Sequence, residues 1–175
     1  MARKLFLALC ITFMLVSCKS CKKDNLAPVD QLPPATQTGQ NTFGCLINGE
    51  VFTPKGGFSE PRLYADYYNV GVYIIRAVNV DSGIWIYLKN DSCLINQLGN
   101  YSLVSNLGNK SYGNFININN KCDMYTDSIN TGNLTITHYS ITTQKRIISG
   151  TFYFTIKSPG CADINVTDGR FDISF

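Results

Sequence analysis

The chain has 175 residues and a formal charge of +3, and only 15% of its residues are charged. Removing residues 1–17 takes away Arg3 and Lys4 but no acid, leaving 13 basic and 12 acidic groups in 158 residues. That near-neutral balance excludes the basic footprint of a nucleic-acid binder, and the length suits one domain with a tether.

Arg3 and Lys4 precede an apolar run from Leu5 to Val16. The run matches a signal-peptide core of roughly 7–15 residues and falls short of the ~20 that a spanning helix needs. Leu15-Val16-Ser17-Cys18 closes it as a lipobox, and Lys19, Lys22 and Lys23 follow at once. Residues 1–17 are therefore predicted to be a lipoprotein signal peptide, with lipid on Cys18 as the membrane partner. The address this implies is the cell envelope, at the outer membrane. No acidic run follows Cys18, so the choice between periplasmic and surface face stays open. Residues 18–41 carry Pro33-Pro34 among Lys, Gln, Thr and Gly. Prolines lack amide donors and push their neighbours to extended forms, so this stretch is predicted to be a flexible tether.

Residues 42–175 read as all-β. Cys45–Ile47 and Glu50–Phe52 flank Asn48-Gly49, the strongest short hairpin signal. Residues 70–78 and 83–88 are rich in β-branched and aromatic side chains, which suit a pleated surface. Asn114–Asn119 and Leu134–Tyr139 alternate with period two, Arg146–Ile156 reads as a long central strand, and Asp163–Phe175 closes the chain. Within it Asp168-Gly169 marks a turn or bulge. Residues 91–99 are the one candidate helical turn. Short strands broken by Gly, Asn and Asp predict an antiparallel β-sandwich or partly open barrel.

Cys45, Cys93, Cys122 and Cys161 fall in the domain, and an exported chain meets oxidising conditions. Four cysteines permit three pairings. The expectation is Cys45–Cys161 with Cys93–Cys122, because first and last strands of a sandwich often neighbour. No two of the four lie within five residues and there is one histidine, so no zinc site is expected. Nor does any motif ask for a cofactor.

Candidate chemistry is sparse. His138 would need a nucleophile and an orienting acid to serve as a general base, and no Gly-x-Ser-x-Gly elbow accompanies it. Asp163, Asp168 and Asp172 are oxygen ligands of the type that calcium uses. A turn at Asp168-Gly169, with Arg170 paired to an acid across the sheet, explains them equally. Tyr64, Tyr67 and Tyr68 follow a proline and precede a strand. Exposed, such rings would stack on sugar faces; packed, they are ordinary cross-strand pairs. The expected role is a non-enzymatic binding or envelope-structural module with an unidentified protein or glycan partner. The alternatives are a glycan or small-ligand binder using Tyr64, Tyr67 and Tyr68, and a small hydrolase using His138.

Pro33–Gly39 followed by Asn41–Gly49, with Ile148–Phe154 and Val166–Ile173 at the far end, resembles a family of uncharacterised Bacteroidetes lipoproteins defined only as a domain of unknown function. Thr126, Gly132, Leu134–Ile136 and His138 lie where its third recurrent block falls. The resemblance spans residues 33–175 and implies an exported, lipid-anchored β domain. It brings no catalytic residue and no ligand.

Overall fold

A computed structural model describes residues 26–55, 62–68, 72–89, 98–105 and 110–175. The signal peptide, Cys18, Cys93 and residues 91–97 of the candidate helical turn at 91–99 lie outside them, and Gly99, its expected stop, begins a strand. Among the described residues, eleven strands run in chain order after a single 3-10 turn, Pro28–Gln31. They are β1 (Thr42–Ile47), β2 (Glu50–Phe52), β3 (Leu63–Tyr68), β4 (Val72–Val78), β5 (Ser82–Lys89), β6 (Gly99–Leu103), β7 (Tyr112–Asn117), β8 (Cys122–Tyr125), β9 (Gly132–Ile141), β10 (Arg146–Ile156) and β11 (Ile164–Ser174).

The strands form two antiparallel sheets that pack as a sandwich rather than a partly open barrel. One is ordered β2-β1-β11-β10-β9-β6 and the other β3-β4-β5-β7-β8. The Asn48-Gly49 hairpin forms as its residues dictate. Both adopt positive φ (52° and 85°), as a two-residue turn matched to strand twist requires. β1 and β11 are neighbours, so the two ends of the domain do meet. β10 lies inside the large sheet, between β9 and β11.

Alternation along the strands sorts the side chains. Ile148, Phe152, Phe154 and Ile156 of β10 point inward, as do Ile84, Ile86 and Leu88 of β5, and all are 3% exposed or less. Each such side chain contributes roughly 1.5–3 kcal/mol by leaving water. A polar bridge crosses the core where the Tyr73 and Tyr139 hydroxyls meet at 2.6 Å. It joins β4 of one sheet to β9 of the other. The Asp168-Gly169 signal becomes a bulge: β11 slips register against β10 between Phe152 and Phe154, with Asp168 at φ 54°.

The disulfide differs from the expected pairing. Cys122, at the start of β8, bonds to Cys161 in the β10–β11 loop. Cys45 faces the core from the middle of β1, out of reach of a loop beyond the sheet's end. It remains a buried free thiol, and burial pushes its pKa up, which suppresses the reactive thiolate. The bond staples the small sheet to the large one across a sequence separation of 39 residues. Constraining a loop of that length in the unfolded chain is worth about 4 kcal/mol. Reduction should therefore lower the urea midpoint by an amount matching roughly that loss, and Cys122→Ser should melt at the same temperature with or without reductant.

Candidate functional site

The outer face of the large sheet carries the most organised polar arrangement. Asp172 of β11 is fully buried, and among the described residues it is held by hydrogen bonds rather than by an ion pair. Five donors converge on it: Thr36 Oγ1 (2.6 Å), the backbone N–H groups of Thr38 (3.0 Å), Gly39 (2.8 Å) and Gln40 (3.0 Å), and Ser149 Oγ (2.7 Å). Gly39 adopts φ 71°, a left-handed conformation that glycine tolerates without steric cost and that turns successive N–H groups toward one point. Burial alone would raise the carboxyl pKa. The hydrogen bonds from Thr36, Ser149, Gln40 and Gly39 outweigh it and hold the group well below the usual carboxylate range.

These contacts revise the expected tether. Of residues 18–41, the described part lies along the sheet. Leu32 is 7% exposed, and Pro33 sits on Gly44, where a Cβ would come within 2.6 Å of its Cδ. Asn41 Oδ1 accepts from the Ser174 N–H at 2.9 Å, and Lys145 Nζ donates to the Thr38 carbonyl at 3.1 Å. Leu32, before Pro33, is extended (φ −75°, ψ 149°), but the segment turns at Thr36 and Gly39 and its free amides found a carboxylate instead of water.

His138 lies on the same face. Thr42, Asp172, Ser149 and His138 are opposed in register across β1, β11, β10 and β9. The row holds the residue types of an acyl-transfer triad in the wrong order of hydrogen bonds. A triad needs the histidine to accept the serine proton and the acid to hold the histidine. Here Ser149 gives its proton to Asp172 and is fully buried.

The three expected ligand-binding tyrosines do not form one exposed cluster. Alternation along β3 turns Tyr67 toward the core, where it packs on Tyr73 at 4.6 Å. Tyr64 donates its hydroxyl to Asp66. Tyr68 lies in β3, but its side chain is outside the described residues. The outer face of the small sheet instead bears an aromatic layer on neighbouring strands. Tyr87 and Tyr112 stack at 4.3 Å, Trp85 lies 6.4 Å from Tyr87, and Tyr125 lies 6.0 Å from Tyr112. Arg76 covers Trp85 and Lys89 covers Tyr112. Burial, together with the Asp123 carboxylate, pushes the Tyr125 hydroxyl up to about 12. These rings are engaged with one another, as cross-strand pairs are.

A different aromatic stands clear. Tyr153 of β10 is 59% exposed. It has Asn133 of β9 beside it in register and the β11 bulge with Asp168 on its other side. One row along, Thr151 sits between Thr135 and Arg170. These six residues, with Ala35 of the docked segment as a wall, line a depression of about 340 Å³. The alternation Thr151-Phe152-Tyr153-Phe154-Thr155 signals an outward Tyr153 in the sequence. The bulge that brings Asp168 to it is a matter of register and carries no such signal.

The three acids considered for calcium take separate roles. Asp163 pairs with Lys157 at 3.0 Å, Asp168 is exposed at the bulge and Asp172 is enclosed by donors. Arg170 donates through Nε to the Asp168 carbonyl at 3.3 Å and not to an acid on the next strand. Among the described residues no group of three His, Cys, Asp or Glu would hold a metal ion.

Fold and faces define a two-sheet antiparallel sandwich whose N-terminal segment is clasped onto its larger sheet. The chain belongs to the family described as a domain of unknown function, DUF6252, whose model matches residues 58–172. The match ends on Asp172 itself, and the segment that Asp172 holds lies outside it. No curated protein and no solved structure matches the chain.

Asp172→Asn leaves the geometry but turns an amide NH₂ toward N–H donors. It should cost about 2–4 kcal/mol and expose residues 33–41 to limited proteolysis. The folded pKa is depressed, so the carboxylate's contribution is complete above the ordinary value near ~4. It is lost as pH falls from there toward the folded value. Thermal melts from neutral pH into acid should therefore fall steeply for the wild type and be flatter for Asp172→Asn.

Proposed function

We propose that the protein is an exported, lipid-anchored β-sandwich serving as a non-enzymatic binding or structural module of the cell envelope. The observation that carries this reading is Leu15-Val16-Ser17-Cys18, placed after Arg3, Lys4 and an unbroken apolar run. The docked segment adds a geometric consequence. Described structure starts at Leu26, eight residues beyond Cys18. Eight residues reach at most ~28 Å even when fully extended. A lipid on Cys18 would therefore hold the sandwich close to the bilayer, with the large sheet's Asp172 as the attachment point. Acyl chains would supply about 0.8 kcal/mol per buried methylene, and Lys19, Lys22 and Lys23 about 1 kcal/mol each against anionic headgroups.

A binding role is favoured over a hydrolytic one by the row at His138. Its neighbouring hydroxyl is buried and already committed to Asp172. Metabolic labelling with an alkyne palmitate tests the anchor. The wild-type chain should label and sediment with membranes, Cys18→Ala should do neither, and Cys21→Ala should behave as wild type. Label retained by Cys18→Ala would sink the assignment.

A further inference from the structure

We infer that the depression around Tyr153 is a binding site for a neutral glycan, with one sugar ring lying against the Tyr153 ring. The proposal rests on the binding half of the reading above and is independent of the lipid.

Four observations carry it. First, Tyr153 is the one large exposed aromatic among the described residues. Trp85, Tyr87, Tyr112 and Tyr125 contact one another, whereas Tyr153 is 59% exposed and meets no ring among the described residues. A flat apolar face with a polar tip matches a pyranose, which is apolar on its faces and hydroxylated at its rim.

Second, the groups beside that ring are unengaged. Thr135 Oγ1 gives its one proton to Asn100 Oδ1 at 2.6 Å and lies 3.2 Å from Asn133 Oδ1, and the Asn133 Nδ2 amide makes no hydrogen bond among the described residues. Arg170 uses only Nε, on the Asp168 carbonyl. The Thr151 hydroxyl, the Tyr153 hydroxyl and the Asp168 carboxylate make no hydrogen bond among the described residues. Donors and acceptors are thus interleaved, as sugar hydroxyls, which are both, require.

Third, the site carries one cation and one anion, Arg170 and Asp168. A phosphate-bearing ligand would gain from the first and be repelled by the second, so the balance favours an uncharged one.

Fourth, the site is built. Three strands fix its floor, the bulge aims Asp168 at it, and Ala35 walls it because the Asp172 clamp holds the segment down. Bulges recur next to functional sites for this reason. Its volume of about 340 Å³ falls at the small end of ligand sites, ~300–1,000 Å³, and suits one or two sugar rings.

The test uses the full-length chain in a sugar-free detergent, screened on an array of neutral and acidic glycans. Hits are titrated by calorimetry and mapped by saturation-transfer NMR. At least one neutral oligosaccharide should bind with its ring protons saturated. Tyr153→Ala should weaken that binding about tenfold or more (~1.4 kcal/mol). Tyr153→Phe should stay within about threefold of wild type, and Tyr64→Ala should not change it. An exposed ring tolerates truncation, and a melt of each variant checks that the sandwich persists. The proposal is overturned if no neutral glycan binds the wild type, if Tyr153→Ala binds as wild type does, or if Tyr64→Ala abolishes binding. It is also overturned if an acidic oligosaccharide binds more tightly than every neutral one. Loss of palmitate labelling would leave all these outcomes standing, and failure here would leave the anchor standing.

Discussion

A buried carboxylate held by hydrogen-bond donors instead of an ion pair is the constraint on which this structure turns. Taking an ionised group out of water costs several kcal/mol after relaxation, and among the described residues no ion pair offsets that cost at Asp172. The compensation comes from five oriented donors, three of them backbone amides of residues 38–40. Those amides would otherwise face water, so the arrangement satisfies segment and carboxylate together. Because Asp172 sits in β11 beside β1 and β10, it ties three strands of the large sheet to a stretch that has almost no regular structure of its own.

The rest of the large sheet's outer face follows from that tie. Gly44 has no side chain where Pro33 lies down, Leu32 is buried outside the main core, and Ala35 becomes a wall of the hollow beside Tyr153. The small sheet solves its surface differently. Its outward rings stack on each other and its cations lie over them, which covers the ring faces but leaves Trp85 Nε1 and Asn114 Oδ1 buried without a hydrogen bond. The two faces therefore differ in what they leave open.

Much of this was legible residue by residue. The Asn48-Gly49 turn, the alternation in β7 and β9, the length of β10 and the Asp168-Gly169 irregularity all express local backbone preference, and local preference is written in adjacent residues. What was hidden depends on partners far away in the chain. β3, β6 and β8 are short, and β3 reads as a tyrosine cluster until its register against β4 shows that Tyr67 faces in. The Cys122–Cys161 bond joins a hairpin end to a loop, a proximity that no spacing encodes. Residues 33–41 carry the composition of a tether, and nothing in that composition says that Asp172 is waiting for their amides. At the candidate site, Tyr153 is readable as outward-facing, but its neighbours Asn133 and Asp168 come from strands on either side and depend on a register slip.

The clamp also sets an order of events. Four of its five donors lie at residues 36–40 and its acceptor at residue 172. A chain made from its N-terminus must carry those amides exposed until residue 172 has emerged, because no earlier carboxylate occupies that position. Long-range closures of this kind come late and slow folding. The domain is thus sealed by β11, and a chain cut just before Asp172 would keep most of its sandwich strands while leaving its leading segment unmoored.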